Sequence, residues 1–455
     1  MAYHFKPCDR EQHLLLPPSL DEWLPRGHLA RFILDATAQL DLSAFLAAYR
    51  ADGTGQAAFH PAALVALLLY SYCSGVRSSR QIEKRCEEDV ASRFIMANQR
   101  PDHSTLCRFR ETHEAALSAV FVQVLRLCQE AGVLKLGVVA LDGTKLSASA
   151  ALAANRKQET LAAEVQEILA DAKTTDTRED GLFGREKRGD ELPPELQDPR
   201  SRVARLKACM ERLRAEEDVA RGAQAEKLAL REQAEAESGK QTRGRKPKPP
   251  DEVVDADAKA NVTDPESRIM KTRSGYVQGY NGQVVVTEQQ YIVAADVTQE
   301  ENDQHQLQPM LKQAQANLAE VKIVVALGAL LVDAGYCNEA NLQSATEDGP
   351  ELFCATTKDW KQRKALREQP GPRGRTPKFL SVKDRMERKL LTQRGRRLYR
   401  KRSQTVEPVF GQIQTVQDGK RCMRRGVAAV RSEWRFTCGA HNLLKLWRSQ
   451  RAAWN

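Results

Sequence analysis

The spacing of hydrophobic residues predicts a helical region at the start of the chain. Apolar side chains recur at helical intervals over Leu20–Leu40, and again in the run A-A-L-V-A-L-L-L-Y that follows Pro61. Proline suits the first turn of a helix because its missing N–H is not needed there. The turn N-Q-R-P-D then precedes the helical pattern H-S-T-L-C-R-F-R. A helix after such a turn is compatible with DNA reading, so Ser104, Thr105, Arg108 and Arg110 are predicted DNA contacts, with simple packing of the two helices as the open alternative.

The middle of the chain has the pattern of strands alternating with helices. Apolar residues alternate before V-A-L-D at residues 139–142, and Y-V-Q-G-Y-N-G-Q-V-V-V-T with Y-I-V-A-A-D-V-T predicts a β-hairpin. The elements predicted after the hairpin are a helix over Gln304–Leu318, a strand ending at Asp333, a helix from about Glu339, a strand over Leu352–Ala355 and a helical tail. This order predicts an α/β fold with a mixed sheet flanked by helices.

A charged segment of a different kind interrupts the α/β pattern. Thr160–Lys173 and Ser201–Glu235 have long helical patterns typical of a helical hairpin or coiled coil, and the basic linker T-R-G-R-K-P-K-P-P follows. Arg243 and Arg245 in this linker are candidates for insertion into an A·T-rich minor groove, with a solvated linker as the open alternative. Three domains are therefore predicted: residues 1–130 as an all-α DNA-binding domain, 131–157 with 262–450 as the α/β domain, and 158–261 as a helical insertion.

Positive charge is concentrated at the end of the chain. The net charge is +10, but residues 361–455 contain 26 Lys and Arg against 6 Asp and Glu, which leaves −10 for the other 360 residues. We call residues 361–455 the basic C-terminal segment, and its charge predicts a polyanionic partner. The ten cysteines are scattered without a C-x-x-C pair, which argues against a zinc knuckle or a disulfide framework. Without an export signal or an apolar run of membrane-spanning length, the predicted location is cytoplasmic and nucleoid-associated.

Three acidic residues lie next to apolar runs, where a carboxylate destabilises the fold unless a cation or hydrogen-bond donors pair with it. Asp142 ends the apolar run V-V-A-L, Asp333 ends I-V-V-A-L-G-A-L-L-V, and Glu407 borders an apolar helical stripe within V-E-P-V-F-G-Q-I-Q. Ligands collect at the carboxyl ends of strands in α/β sheets, so the two aspartates are expected to converge there. Oxygen ligands with no His or Cys nearby favour Mg²⁺ or Mn²⁺. Two such ions can catalyse phosphodiester cleavage.

These blocks, in this order, resemble the DDE transposases of bacterial insertion sequences. L-D-G-T-K and V-D-A-G-Y are similar to the two aspartate motifs of that family, and V-E-P-V-F-G-Q-I with A-H-N-L-L-K-L is similar to its glutamate region. The resemblance implies a ribonuclease H-like catalytic fold, with Asp142, Asp333 and Glu407 as the catalytic, metal-binding triad. Tyr399 and Arg402 match a tyrosine and an arginine that precede the glutamate in the family.

The resemblance also implies an activity. Such an enzyme would bind the terminal inverted repeats of its element, cleave DNA at the ends with two Mg²⁺ or Mn²⁺ ions, and join the 3′-hydroxyl to target DNA as a homodimer or higher oligomer. The family has a lysine seven residues after the glutamate where this chain has Gln414, so Lys420 or Arg421 are alternative cations for DNA contact. Two other interpretations are a ribonuclease H-like nuclease without strand transfer and a catalytically decayed DNA-binding relative.

Overall fold

The structure is a computed structural model of the 455-residue chain. It describes residues 19–50, 57–168, 170, 201–239, 241, 244, 246–253, 257–323, 325–344, 349–377 and 379–452. Arg243 and Arg245 lie outside the described residues, so their predicted contact with DNA stays a prediction. The same holds for the end of the predicted helix at Lys173.

The N-terminal region is helical, as predicted. Its helices are α1 (Leu20–Trp23), α2 (Leu29–Ala38), α3 (Ser43–Leu46), α4 (Pro61–Cys73), α5 (Ser79–Glu88), α6 (Val90–Ile95), α7 (His103–Thr112) and α8 (Glu114–Glu130). The pattern over Leu20–Leu40 forms two helices instead of one, because α1 ends just before Pro25. The helix predicted from Pro61 is confirmed, and eleven of its thirteen residues are buried.

A mixed sheet forms the centre of the molecule. Its strands are β1 (Val138–Ser147), β4 (Arg268–Thr272), β5 (Gly275–Thr287), β6 (Ile292–Thr298), β7 (Ala329–Val332) and β8 (Glu351–Cys354). One edge of β5 pairs antiparallel with β1, and its other edge pairs antiparallel with β6 and β4. Strand β1 pairs parallel with β7, which pairs parallel with β8. The predicted mixed α/β sheet and its hairpin are confirmed, whereas β4 was not predicted.

The register of β1 brings two acidic positions side by side. Leu141 pairs with Val332 in the parallel β1–β7 ladder, so Asp142 and Asp333 are the next residues on neighbouring strands. The prediction that Asp142 ends its strand is wrong, because β1 continues to Ser147 through its pairing with β5. The apolar run stops at Asp142 for a different reason. At that level β7 ends, and one side of β1 loses its neighbour.

Helices cover both faces of the sheet. One face packs against α15 (Gln393–Thr415) and α16 (Val427–Ala452), and the other face packs against α11 (Leu307–Glu320) and α12 (Glu339–Gln343). Two further helices, α13 (Trp360–Glu368) and α14 (Val382–Leu391), connect β8 to α15. Helix α16 also shares a hydrophobic cluster with the N-terminal helices. The N-terminal helices therefore pack directly onto the end of the chain.

The described part of the charged insertion is mostly helical. A helix spans residues 158–168 (α9), and α10 extends over Arg202–Ser238. Two short strands, β2 (Asn155–Lys157) and β3 (Lys259–Asn261), pair antiparallel at its base. The buried residues of α10 all lie in its first third: Val203, Leu206, Cys209 and Leu213. The rest of this helix carries no buried side chain, in agreement with its charged sequence.

Candidate active site

A polar cavity opens where β7 ends. Its volume is about 820 Å³, and it contains both predicted aspartates and the predicted glutamate. The residues that line it are Asp142, Gly143, Arg273, Asp303, Asp333, Ala334, Lys358, Arg402 and Glu407. Four carboxylates and three cationic side chains thus face one space. Such a cavity can bind both a cation and a phosphate.

Asp142 is held in a largely buried position. Its side chain is 16% exposed, and one carboxylate oxygen accepts the backbone N–H of Gly143 at 2.9 Å. The other oxygen accepts the guanidinium of Arg402 at 2.7 Å. Burial is the main cause that raises the pKa of Asp142 to about 7; Arg402 opposes this shift, and the nearby carboxylate of Asp333 contributes to it. The site therefore disfavours an unpaired charge on Asp142.

Asp333 lies beside Asp142 and is more exposed. Its side chain is 38% exposed, and its Oδ1 accepts the backbone N–H of Gly335 at 2.7 Å. The Nη2 of Arg402 is 3.8 Å from Oδ2 of Asp333 and 2.7 Å from Oδ2 of Asp142, so this one guanidinium nitrogen contacts both aspartates. The hydroxyl of Tyr399 donates to the backbone carbonyl of Val332 at 3.1 Å. Tyr399 thus supports the strand end that carries Asp333.

Glu407 reaches the cavity from α15. Its neighbours Val406, Val409 and Ile413 are buried against the sheet, and this stripe fixes the rotation of the helix. Glu407 itself is exposed and borders two cavities, the polar one and an adjacent one of about 460 Å³. The structure therefore brings all three predicted acids to one place, with Glu407 free to turn toward a ligand.

Arg402 is the main internal cation of the cavity. Burial would lower the pKa of its guanidinium, but Asp142, Tyr399, Asp333 and Glu407 outweigh burial and raise the pKa above its usual value. Arg402 therefore stays charged and neutralises part of the acidic cluster. Its predicted role was DNA contact, and the structure places it against the aspartates of β1 and β7.

The candidate DNA contacts that come after Glu407 in the sequence lie along the second half of β1. Gln414, which stands at the position of the expected lysine, donates its side-chain amide to the hydroxyl of Thr144 at 3.1 Å. Lys420 and Arg421 are exposed, and the carbonyl of Lys420 accepts the N–H of Ser147 at 2.9 Å. This backbone bond holds the two cationic side chains beside the end of β1. They are available there to a phosphate backbone.

Only some of the DNA-contact residues predicted on helix α7 are exposed to solvent. Ser104 and Arg108 are exposed, and Thr105 is half-buried with its N–H donating to the Asp102 carboxylate at the start of the helix. The prediction for Arg110 is wrong, because its side chain is buried. Its guanidinium donates to the Ser79 hydroxyl at 3.1 Å and to a backbone carbonyl at 2.9 Å, so it joins α7 to α5.

Three cavity residues were missed from the sequence: Arg273, Asp303 and Lys358. Asp303 lies between β6 and α11 in Q-E-E-N-D-Q-H, where it is one of three acids within four positions. Nothing in that stretch separates Asp303 from Glu300 or Glu301. Only the folded sheet identifies the acid that turns inward.

The donor chemistry of the cavity fits a hard divalent cation. All of its candidate ligands are carboxylate oxygens, which Mg²⁺ and Mn²⁺ prefer. Among the residues that the structure describes, no group of three or more His, Cys, Asp or Glu side chains already has a metal-binding arrangement. Arg402 is the cation that pairs with Asp142 and Asp333 instead. A metal at this site would have to compete with that guanidinium.

Family comparisons match both ends of the chain. Residues 18–112 match a transposase domain of the DUF772 type, and residues 356–447 match a transposase DDE domain. The second match contains Tyr399, Arg402 and Glu407, whereas Asp142 and Asp333 lie outside both matches. No curated protein and no solved structure matches the chain. The two domain matches support a DDE transposase.

No helix in the described ranges is long and apolar enough to cross a membrane.

Proposed function

We propose that this DDE transposase binds the terminal inverted repeats of an insertion sequence, cleaves the DNA at the element ends and joins the freed 3′-hydroxyl to target DNA. The observation that supports this proposal most is the convergence of Asp142, Asp333 and Glu407 on one cavity, in a chain whose two ends match transposase domains. The catalytic domain would be ribonuclease H-like and consist of residues 131–157 and 262–450. The β6–β5–β1–β7–β8 strand order is compatible with that proposal.

Asp142, Asp333 and Glu407 would hold two Mg²⁺ or Mn²⁺ ions. When bound, the ions would activate the attacking water in cleavage or the 3′-hydroxyl in joining, and stabilise the leaving oxygen of the phosphodiester. The contribution of the chain is to fix the ligands. The β1–β7 register sets the aspartates side by side, and the N–H groups of Gly143 and Gly335 orient their carboxylates. Glu407 on its exposed helix face would complete the ligand set.

The cationic side chains around the cavity would receive the DNA backbone. Arg273 and Lys358 line the cavity itself, and Lys420 and Arg421 lie beside the end of β1. In this role each cation offsets phosphate charge that approaches an acidic site. The basic C-terminal segment supplies two of these four residues, Lys420 and Arg421.

Recognition of the element ends is assigned to the first 130 residues. Ser104 and Arg108 are exposed on α7, which follows the turn after α6 in the manner of a reading helix. Two DNA ends must be processed together, so a homodimer or higher oligomer is proposed on DNA. The nucleoid would be the working location of the protein.

A cleavage and joining assay tests the proposal. Its substrates are a DNA fragment with the element end, the same end pre-cleaved to expose its 3′-hydroxyl, and a supercoiled target plasmid. We expect Mg²⁺-dependent nicking of the first and joining of the second. Asp142→Asn and Glu407→Gln should each lower the rates of both reactions by at least ~100-fold, because each replaces a metal-binding carboxylate with a neutral amide of similar size.

Two controls make the result specific. Glu320→Gln alters an exposed carboxylate at the end of α11, far along that helix from the cavity, and should leave both reactions unchanged. DNA-end binding by Asp142→Asn, measured by fluorescence anisotropy, should stay near the wild-type level. Cleavage without joining would indicate a nuclease instead of a transposase. End binding without metal-dependent cleavage would indicate a catalytically decayed relative.

A further inference from the structure

We propose that Asp303 is a fourth carboxylate ligand of the metal site, in addition to Asp142, Asp333 and Glu407. This inference rests on the proposed function, since it adds a residue to the same site. Asp303 precedes α11, and its side chain faces the cavity that holds the other three acids. The carboxylate is fixed by neutral partners, and the protein backbone leaves space for it at two positions.

One oxygen of Asp303 is held by two buried amides of β5. The side-chain N–H groups of Asn281 and Gln283 donate to Oδ1 of Asp303, each at 2.7 Å. The hydroxyl of Tyr336 donates to the carbonyl oxygen of the Gln283 amide, which fixes the N–H group of that amide toward Asp303. Asn281, Gln283 and Tyr336 are essentially inaccessible to solvent. A rigid neutral support of this kind orients Asp303 without neutralising it.

Two glycines make room for the Asp303 carboxylate. A Cβ added to Gly143, the residue after Asp142, would lie closer than 3 Å to the Gln283 amide nitrogen and 2.8 Å from Oδ1 of Asp303. A Cβ added to Gly335 would lie 2.8 Å from Oδ1 of Asp333 and 3.2 Å from Oδ2 of Asp303. At each glycine at least one of these contacts is too short for a side chain. The second oxygen of Asp303 therefore borders the same small space as Asp333.

Asp303 approaches the strand ends from the opposite face of the sheet to Glu407. Val285, between Asn281 and the end of β5, packs in the α11 layer, and Asn281 and Gln283 share its side of the strand. Val406 and Val409 place Glu407 in the α15 layer on the other face. Carboxylates from both faces of the sheet can surround cations at the end of β7. Three carboxylates from one face would leave one side of the cations without a protein ligand.

Within the described residues the charge of Asp303 is not held in a salt bridge, although it acts electrostatically on the half-buried ammonium of Lys145. No Lys or Arg among the described residues forms an ion pair with it, whereas Asp142 and Asp333 share Arg402. Lys145 is nearby, but its ammonium group donates to the backbone carbonyl of Glu301 at 2.7 Å. Two amide donors on one oxygen would be satisfied equally by an asparagine. The free second oxygen is what distinguishes an aspartate at this position.

Titration of the full-length protein with Mn²⁺ in the absence of DNA tests the inference. Asp303→Asn keeps an oxygen for Asn281 and Gln283 and replaces only the second carboxylate oxygen. Loss of a residue that merely supports a ligand costs roughly 10–100-fold in metal affinity, and loss of a ligand oxygen should cost no less, so we expect the Asp303→Asn variant to bind Mn²⁺ at least ~10-fold more weakly. Glu301→Gln, which has the same charge change two residues away and is exposed, should bind like the wild type.

The increase in melting temperature on adding Mn²⁺ provides a second measurement. Each variant is compared with its own metal-free form, so a general loss of stability does not imitate a loss of binding. Asp303→Ser, whose hydroxyl can accept one amide, replaces the asparagine variant if that variant does not fold. Wild-type Mn²⁺ affinity in Asp303→Asn, together with loss of binding in Asp142→Asn, would overturn the role of Asp303 and leave the proposed function intact. Absence of both Mn²⁺ binding and cleavage in the wild type would overturn both.

Discussion

Protonation of His441 should destabilise the helix that carries Glu407. His441 lies on α16 in the sequence A-H-N-L-L-K-L and is 1% exposed. Its Nδ1 is 3.2 Å from the side-chain amide of Gln412 on α15, and its Nε2 is 3.1 Å from the backbone carbonyl of Gln290 in the β5–β6 turn. A neutral ring satisfies both contacts, with Nε2 donating and Nδ1 accepting. A second proton would place two donors, the Gln412 amide and the ring, against each other.

The size of this effect follows from the pKa. Burial lowers the pKa of His441 to about 4 from 6.5, against the opposing hydrogen bond to Gln290. The unfolded chain therefore binds a proton near pH 6.5 that the folded protein takes up only near pH 4. Stability is fully present above pH 6.5 and falls as the pH drops toward 4. Each pH unit in this window is worth about 1.4 kcal/mol, so the loss at pH 5 is about 2 kcal/mol.

Urea unfolding at pH 7.5 and pH 5 measures this loss. His441→Gln keeps a neutral donor toward Gln290 but cannot titrate, so its free energy of unfolding should fall by about 2 kcal/mol less than that of the wild type between the two pH values. His305→Gln removes a histidine whose side chain is 71% exposed, and should retain the full wild-type pH dependence. Equal pH dependence in the wild type and His441→Gln would refute the assignment of the effect to this residue.

Three further outcomes follow from the contacts. Arg77 and Glu433 form an ion pair at 2.5 Å with both side chains at most 4% exposed. Arg77→Met should lower the free energy of unfolding by about 3–5 kcal/mol, and adding Glu433→Gln should recover part of that loss. Additive losses of the two substitutions in urea unfolding would contradict this. Gly143→Ala should cost about 1–3 kcal/mol and weaken Mn²⁺ binding. Gly137→Ala is the control because its added Cβ meets no described atom within 4 Å, and equal effects at both glycines would argue against the close approach of Gln283 and Asp303 to Gly143. DNA affinity should fall by roughly 10³-fold or more between 50 and 200 mM salt, and a flat response would remove the basic C-terminal segment as a DNA face.

Much of the fold was predictable because its hydrophobic pattern is local. The helix from Pro61, the β5–β6 hairpin and the strand before Asp333 were all recognisable from runs of apolar residues. The extension of β1 beyond Asp142 was not recognisable. Residues 142–145 are only half-buried, and they continue the strand because β5 pairs with them. Such pairing depends on a segment about 140 residues away, which no local pattern contains.

The candidate site was predictable only in part for a related reason. Asp142, Asp333 and Glu407 each follow or border an apolar run, so a buried carboxylate could be inferred from the sequence. Asp303 lies in a polar loop, and its inward orientation depends on the amides of Asn281 and Gln283. The burial of Arg110 likewise depends on a partner, because α5 supplies the acceptor that takes its guanidinium out of solvent.

The three acids of the site are positioned by two independent kinds of interaction. Backbone pairing of Leu141 with Val332 sets Asp142 beside Asp333, and this register cannot change by one residue without moving buried side chains to the wrong face. Glu407 depends instead on side-chain packing of the α15 stripe against the sheet. The link between the two is Arg402, which sits on the glutamate helix and contacts both aspartates. A phosphate or a cation that displaced Arg402 from the aspartates would therefore act directly on the helix of Glu407, whereas the backbone pairing that sets Asp142 beside Asp333 does not involve Arg402.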